Sequence, residues 1–309
     1  MPNNFIQKIV KRIRRPIWEH VYPKTYWHMR FYDRRFDLKK HGNRTEVSWR
    51  GGLCAFPIAY QQITRGSDSL AIVASGPSLL ATPEEAWRGR DVCCVNGSIL
   101  WAKQRGIRPR LYVVSDPGFA ERRVDLIHQA VQIADIVCLS IRCLFEVLRQ
   151  RPMLFHERRL LAYENINQPF RRQLYEEEEL RANPKILLDG RLYQGRYVGI
   201  SMDLGMGVFP GGTVALGATQ IALGLGYRDL HFLGLDMKPS GQTRRFYAER
   251  RPEPSFIVHN FEQLILPSFT LLRQYCDIHG ATLQNWSPDS AIPRHVVPAA
   301  RSGFELVAE

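Results

Sequence analysis

Short apolar segments alternate with helical patterns from Ser69 onward, and this alternation constrains the fold more than any other feature of the sequence. The apolar segments are residues 70–75, 91–96, 110–116, 135–141, 229–236 and 281–286, with helical patterns at 99–106, 119–134 and 264–280. Strands that alternate with helices form βαβ units. The sequence therefore predicts an α/β, Rossmann-like fold with a mostly parallel sheet flanked by helices. Residues 142–208 are less regular and are expected to form a lid or a small subdomain.

An uncharged run from Leu204 to Tyr227 is long enough to cross a bilayer, for which about 20 apolar residues are needed. The run contains seven glycines, a proline, two threonines and a glutamine, which are costly in lipid unless other helices cover them. We therefore expect a helix capped by Thr213 that ends at Gly226. A buried strand that ends at Asp236 should follow it.

Most of the positive charge lies in the first 44 residues. The chain has a formal charge of +12, and residues 1–44 hold 12 Lys and Arg against 3 Asp and Glu, a net of +9. A helical projection of residues 5–13 puts its apolar side chains on one face and basic side chains on the other. Aromatic residues follow, including Trp18, Tyr22 and Tyr32, interleaved with Arg and Lys. We interpret residues 1–44 as a basic amphipathic arm that associates with an anionic membrane surface, and residues 45–309 as the Rossmann-like domain.

Two other interpretations of the arm remain open. Its apolar face could pack on the body of the protein, as most amphipathic helices do. Its charge could bind nucleic acid, but no zinc-finger spacing, aromatic RNA-binding strand or recognition-helix pattern accompanies it. We therefore expect no nucleic-acid partner.

The six cysteines show no CxxC spacing and no paired framework, and no secretory segment precedes them. This pattern is typical of a reducing, cytosolic compartment. We expect each cysteine to be a small buried apolar side chain and expect no metal site.

Small and polar residues follow the predicted strands. In a doubly wound sheet the ligand binds beyond the carboxyl ends of the strands, so these residues are the candidate binding residues. They are Gly76, Pro77, Ser78, Asn96, Gly97, Ser98, Ser115, Asp116, Gly212, Thr213 and Asp236. Uncrowded backbone amides at such turns suit a phosphate or a ribose, although Gly-Pro turns and capped helix starts are common without any ligand. The absence of G-x-x-x-x-G-K-[ST] and of G-x-G-x-x-G after a strand argues against P-loop kinases and NAD dehydrogenases.

A basic loop follows Asp236, and a histidine follows the loop. Lys238, Arg244 and Arg245, near Tyr247, could neutralise a phosphate, or they could form an ordinary exposed basic loop. His259 could act as a general base, although a lone histidine is more often structural.

The chain resembles the bacterial Kdo (3-deoxy-D-manno-octulosonic acid) transferases of the lipopolysaccharide core, the WaaZ type. The matching segments are ASGPSLL, VNGSILWAKQRGIRPRLYVVSD, GGTVALGATQIALGLGYRDLHFLGLDM, RFYAE and NWSPDSAIPR, within residues 68–297. More distantly it is similar to the CMP-sialic-acid sialyltransferases of glycosyltransferase family forty-two. The basic N-terminal arm lies outside the resemblance.

The resemblance implies a sialyltransferase-like variant of the GT-A fold and an inverting, metal-independent transfer of Kdo from CMP-Kdo to a hydroxyl of the lipopolysaccharide inner core, with no cofactor. The donor nucleotide would bind at the candidate residues named above. His259 would be the base, and Lys238, Arg244, Arg245 and Tyr247 would stabilise the leaving phosphate, because tyrosines at nearby positions do so in the sialyltransferases. Such an enzyme would act at the cytoplasmic face of the inner membrane as a peripheral protein.

Three alternatives stay open at this point. The donor could be another CMP-sugar, such as CMP-sialic acid. The protein could be similar to the pterin pyrophosphokinases, whose Rossmann-like fold shares a Gly-Pro-Ser turn but which need ATP and magnesium. It could also be a non-catalytic protein that binds membrane surfaces.

Overall fold

The computed structural model describes residues 20–41, 44–238, 245–247 and 257–300. Its strands are β1 (Phe36–His41), β2 (Arg44–Trp49), β3 (Gly52–Ala55), β4 (Ser69–Val73), β5 (Asp91–Val95), β6 (Leu111–Val114), β7 (Ile136–Ser140), β8 (Leu160–Tyr163), β9 (Ile186–Tyr193), β10 (Arg196–Ser201), β11 (Asp229–Leu233) and β12 (Thr282–Asn285). Its α-helices are α1 (Ile99–Gln104), α2 (Pro117–Arg122), α3 (Val124–Ile133), α4 (Ile141–Leu148), α5 (Glu177–Arg181), α6 (Val214–Gly224), α7 (Ile257–Asn260) and α8 (Leu266–His279). Short 3₁₀ helices include Lys24–Phe31 and Pro77–Ala81, and a π-helical turn spans Phe261–Ile265.

A seven-stranded parallel sheet forms the centre of the protein, in the order β12-β11-β4-β5-β6-β7-β8. The α/β fold and all six predicted strands are confirmed. From β4 the chain builds the sheet in one direction through β8, and it later returns to add β11 and β12 on the other side. The strand order therefore reverses between β4 and β11, and such switch points open a crevice at the carboxyl edge.

Helices cover both faces of this sheet. On one face, α6 and α8 pack against alternate strand residues such as Leu70, Ile72 and Val113. On the other face, α1 to α4 and β1 to β3 pack against the residues between them, such as Ala71 and Val73. The central strands are buried on both faces, which explains why they read as continuous apolar runs rather than as alternating patterns.

The first three strands form a small antiparallel sheet that the sequence analysis did not predict. β1 pairs with β2, so residues 36–41 of the predicted arm belong to a folded sheet that continues past residue 44. Tyr32, which we expected among aromatics facing lipid headgroups, packs against Phe36, Phe145 and Phe170 with ring centroids 4.8–6.0 Å apart. That expectation is wrong for Tyr32, because the ring fills the core between the small sheet and α4.

Residues 142–208 contain both sheet and hairpin structure. β8 is the last strand of the central sheet, whereas β9 and β10 form a separate antiparallel hairpin. The hairpin residues Ile186 and Leu188 share a small core with Ile166 and Phe209. A lid function for this region stays a prediction.

The predicted helix of the uncharged run is α6, which Thr213 caps by accepting the amide N–H of Ala215 at 3.3 Å. Within the described part of the chain, no helix combines the length and apolarity that a membrane span needs. The amphipathic pattern of residues 5–13 and Arg244 lie outside the described residues.

Candidate functional site

The switch point between β4 and β11 brings together the Gly-Pro-Ser turn and Asp236. The backbone N–H of Ser78 donates to Oδ2 of Asp236 at 3.0 Å, and the Ser78 hydroxyl donates to Oδ1 of the same carboxylate. The half-buried carboxylate is thus fixed across the crevice by the turn at the end of the neighbouring strand. These two predicted residues, 158 positions apart in the chain, form the centre of the candidate site.

The contact between the Gly-Pro-Ser turn and the Asp236 carboxylate requires a glycine at position 76. Its N–H donates to the carbonyl oxygen of Gly234 at 3.0 Å, which continues the pairing of the two strands into the turn. A Cβ on Gly76 would lie 2.5 Å from both that oxygen and the Asp236 carboxylate. Only glycine leaves room for the turn and the carboxylate to meet.

Ser287 is a member of this cluster that the sequence analysis did not single out. It follows β12, and its hydroxyl lies 2.9 Å from the Ser78 hydroxyl. Because the single proton of the Ser78 hydroxyl is donated to Asp236, Ser287 is the donor in this second hydrogen bond. The residue lies within NWSPDSAIPR, one of the segments that resemble the family. That resemblance could have pointed to Ser287, whereas no local chemical pattern marks it.

Asn96 at the end of β5 presents an unused hydrogen-bond acceptor. Its backbone has a positive φ of 49°, and its carbonyl oxygen accepts the Tyr112 hydroxyl at 2.9 Å. Its side-chain oxygen is buried and has no hydrogen-bond partner among the described residues. Buried polar atoms are rarely left unsatisfied, so this oxygen is suited to accept a hydrogen bond from a ligand.

Part of the basic loop returns over the same edge. The N–H of Phe246 donates to the carbonyl oxygen of Ser75 at 3.1 Å, and the Tyr247 ring lies so close to Gly97 that a Cβ there would overlap it. Arg245 donates from Nη1 to the Tyr247 hydroxyl at 2.8 Å. The structure therefore brings Arg245 and Tyr247 to the Gly76 and Gly97 turns. Lys238 lies 3.8 Å from the carboxylate of Asp289, and both side chains are largely exposed.

Three of the predicted binding residues, Ser98, Asp116 and Ser115, lie where hydrogen bonds stabilise the ends of strands or the start of a helix. The Ser98 hydroxyl is fully buried and is bonded to the N–H of Val95 at 2.8 Å and to the carbonyl oxygen of Val73 at 2.6 Å. Asp116 caps α2 by accepting the N–H of Gly118 at 2.8 Å. Ser115 is half-buried and follows Val114, whose carbonyl oxygen accepts the Tyr163 hydroxyl at 3.1 Å. The Ser98 hydroxyl ties the ends of two strands together and faces no solvent.

The turn before α6 has left-handed backbone at two successive glycines. Gly211 and Gly212 have φ values of 51° and 77°, which residues with a Cβ adopt only with strain. Gly212 also lies against Ile265 and Leu264, because a Cβ there would contact both side chains. The predicted residues Gly212 and Thr213 therefore form a fixed turn at the start of α6.

His259 lies in a cavity of about 480 Å³ beside this turn. The described lining residues are Asn167, Tyr193, Gln194, Arg196, Tyr197, Val198, Gly199, Phe209, Pro210, Gly211, Gly212, His259, Asn260, Leu264 and Ser268. Gly211 and Gly212 thus connect the cavity to the set of predicted binding residues. Gly76, Ser78 and Asp236 are not among the described residues that line it, so the candidate site has two parts.

The π-helical turn Phe261–Ile265 directly follows α7, the short helix that carries His259. The N–H of Leu266 bonds to the carbonyl oxygen of Phe261, five residues earlier. Pro267 has no N–H to continue a regular helix, and its ring would clash with the carbonyl four residues before it. The wider turn accommodates this proline, and it sets the orientation of α7, which carries His259 and Asn260 into the cavity.

Comparison with known sequences assigns the chain to a family. A sequence model of the family "3-deoxy-D-manno-octulosonic acid transferase WaaZ" matches residues 58–302. The chain belongs to this family of Kdo transferases. It is 27% identical over 237 residues to a probable 3-deoxy-manno-octulosonic acid transferase of Escherichia coli, and 26% identical over 239 residues to one of Salmonella typhimurium. These matches cover 75% and 76% of the chain, and 82% and 87% of the two relatives.

Among solved structures, this Kdo transferase is similar to the sialyltransferase CstII of Campylobacter jejuni, with 13% identity and a TM-score of 0.44 over 75% of the chain and 86% of CstII. It is also similar to a MAf glycosyltransferase of Magnetospirillum magneticum, with 19% identity and a TM-score of 0.43 over 74% of the chain. The matched part spans only 33% of that larger protein. The family assignment confirms the resemblance found in the sequence and makes the chain a glycosyltransferase.

Glu164 of this Kdo transferase is a titratable residue at the carboxyl edge that sequence reasoning missed. It follows β8, and its carboxylate accepts the N–H of Phe170 at 3.0 Å. Burial raises the pKa of the Glu164 carboxyl to about 7. The hydrogen bond from Phe170 and the charges of Lys40 and Arg172 lower this pKa, but burial has the larger effect. Nothing in the local sequence marks this glutamate, because its burial comes from distant segments.

The cysteine prediction is confirmed, since all six thiols are buried and unpaired. Burial raises the pKa of Cys94 to about 12, so that this thiol stays protonated near neutral pH. Over the described ranges, no group of three or more His, Cys, Asp or Glu residues is arranged to hold a metal ion.

Proposed function

We propose that this protein transfers Kdo from CMP-Kdo to a hydroxyl of the lipopolysaccharide inner core, with inversion and without a metal ion. The observation that carries the proposal is the contact of Asp236 with the Gly-Pro-Ser turn at the switch point of a Kdo transferase. That crevice would hold the cytidine nucleotide. The unsatisfied side-chain oxygen of Asn96 beside it suits an amino or hydroxyl donor of the nucleotide.

His259 would act as the general base. The acceptor oxygen would attack the anomeric carbon of Kdo while His259 takes its proton, and the bond from that carbon to the phosphate oxygen would break. The electron pair of the broken bond would leave on CMP. Arg245, held near the Gly97 turn through Tyr247, and Lys238 and Arg244 would stabilise that charge.

The test of this function is a transfer assay with the purified chain, CMP-Kdo and a Kdo-containing lipid A acceptor, with and without EDTA. We expect product of inverted anomeric configuration and no effect of EDTA. CMP-sialic acid as the donor, and ATP with magnesium as a ligand, test the two alternative enzyme classes. A requirement for added metal, or a preference for either alternative, would contradict the proposal.

The role of His259 is tested by His259→Ala. General base catalysis contributes about 10²- to 10⁴-fold, so we expect kcat to fall by that factor while CMP affinity is retained. His156→Ala is the matched control, because His156 is exposed and lies outside both parts of the candidate site. Turnover of His259→Ala within threefold of the wild type would remove the base role.

We also propose that the basic N-terminal residues hold the enzyme at the cytoplasmic face of the inner membrane as a peripheral protein. The proposal rests on the net charge of residues 1–44. Co-sedimentation with vesicles that contain anionic lipid should decrease as salt is raised. Equal binding to neutral and anionic vesicles would contradict it.

A further inference from the structure

The cavity beside His259 has one arginine, Arg196, among its described lining residues. Arg196, the first residue of β10, is exposed, lines the cavity and forms no ion pair with an acidic side chain among the described residues. The described residues of the lining include no Asp and no Glu. Arg191 on the same hairpin differs, since its Nε lies 2.5 Å from the carboxylate of Asp189.

The cavity also contains a polar atom without a partner. Ser268 on α8 is fully buried, and its hydroxyl has no hydrogen-bond partner among the described residues. That hydroxyl lies beside Gly211, because a Cβ on Gly211 would be 3.3 Å from it. A buried hydroxyl without a partner is costly, so a ligand hydroxyl in the cavity would satisfy it.

The hairpin wall of the cavity is held in place by side chains. The amide of Asn167 donates to the carbonyl oxygen of Tyr197 at 2.9 Å and accepts its N–H at 3.1 Å. The Tyr193 hydroxyl donates to Asn260, next to His259, at 2.7 Å. These contacts connect the hairpin both to the loop after β8 and to α7. The wall that carries Arg196 is therefore ordered before any ligand binds, which lowers the cost of binding.

We infer that this cavity binds the acceptor, as a sugar with an acid group that pairs with Arg196 while a hydroxyl faces His259. The inference rests on the proposed function for the role of His259. A guanidinium matches the geometry of a carboxylate or a phosphate, and the volume suits one or two sugar rings. The donor nucleotide is assigned to the part of the site around Ser78 and Asp236, which does not line the cavity. Gly212, predicted as a nucleotide-binding residue, lines the cavity and belongs to the acceptor part under this assignment.

Binding of acid sugars to the full chain, without donor, tests the inference directly. The probes are free Kdo, its methyl ester and a hexose phosphate, titrated by ligand-observed NMR. We expect an acid sugar to bind, the ester to bind weakly, and Arg196→Gln to raise the Kd roughly ten- to a hundredfold, as for loss of a hydrogen bond to a charged group. The stronger of the two acid probes identifies carboxylate or phosphate as the recognised group.

The matched control is Arg191→Gln, which removes a charge from the same hairpin outside the cavity and should leave the Kd unchanged. Arg196→Lys should restore part of the affinity, since the charge remains but the planar fork does not. An equal loss in both glutamine variants would show a general charge effect and overturn the inference. Binding of the ester as tight as that of the acid would overturn it too.

Steady-state kinetics separate this inference from the proposed function. Arg196→Gln should raise the KM for the acceptor and leave the KM for CMP-Kdo unchanged. A rise in the KM for CMP-Kdo alone would place the acid group of the donor in the cavity and refute the acceptor assignment. If the wild type binds the acid sugar through Arg196 but does not use CMP-Kdo, the proposed donor fails while the acid-sugar site stands.

Discussion

The contact between Ser78 and Asp236 allows a quantitative test of the candidate donor site. Asp236 accepts two hydrogen bonds from Ser78, one from the backbone N–H at 3.0 Å and one from the hydroxyl. A hydrogen bond to a charged group contributes about 1.5–3 kcal/mol, and partial exposure favours the lower value. Ser78→Ala keeps the backbone bond to Asp236 but removes the hydroxyl bond, together with the hydroxyl contact to Ser287, and should lower the free energy of unfolding by at least about 1.5 kcal/mol. Asp236→Ala removes both and should lower it by about 3 kcal/mol.

The assay is a double-mutant cycle measured by denaturant unfolding, together with the Kd for CMP. The coupling energy between the two substitutions should be about 1–1.5 kcal/mol, because the cycle isolates the hydroxyl bond. Both single variants should weaken CMP binding, since the turn loses its anchor. Ser69→Ala is the matched control: Ser69 donates to Asp229 at 2.6 Å at the opposite ends of the same two strands. Coupling below about 0.5 kcal/mol, or an equal loss of CMP affinity in Ser69→Ala, would refute the reasoning.

Two further predictions follow from the carboxyl edge of the sheet. Gly97→Ala should displace Tyr247 and lower CMP affinity at least tenfold, whereas Gly217→Ala, where a Cβ meets open space, should leave affinity unchanged; unaltered affinity in Gly97→Ala would contradict the contact. Glu164→Gln should make the free energy of unfolding less dependent on pH. Burial raises the pKa of Glu164 from 4.5 to about 7, so the folded chain holds the proton more tightly and its stability falls as pH rises through that window. Between pH 4 and pH 8, the free energy of unfolding of the wild type should fall by about 3 kcal/mol relative to that of Glu164→Gln, measured by denaturant unfolding. An equal difference between the two proteins at both pH values would disprove this prediction.

The central strands could be predicted because they are buried on both faces. Segments such as residues 91–95 and 111–114 have no exposed face, so they read as unbroken apolar runs whatever their neighbours are. The candidate site followed from the same logic. Once the strands are parallel, their carboxyl ends share one edge, and Ser78 and Asp236 are brought together by topology rather than by sequence proximity.

Other features could not be predicted because their packing depends on distant partners. β1 has a single buried residue at its start, Phe36, followed by half-buried and exposed positions, so its pattern is typical of a polar surface segment. Tyr32 lies in a basic, aromatic stretch, and only the rings of Phe145 and Phe170, more than a hundred positions away, show that it belongs to the core. Likewise, the charge of Arg196 is significant only because the described cavity wall around it lacks carboxylates.

Gln220 explains why the uncharged run is more than an apolar core helix. This glutamine is fully buried in α6, and its side-chain oxygen accepts the N–H of Ser201 at 3.0 Å and that of Phe209 at 3.0 Å. Its amide nitrogen donates to the Phe209 carbonyl at 2.8 Å. One side chain therefore connects α6 to the end of the β10 hairpin strand and to the segment that enters Gly211. Because that hairpin carries Arg196 and that segment leads to the glycine turn, Gln220 fixes two walls of the cavity relative to α6, the helix that Thr213 caps.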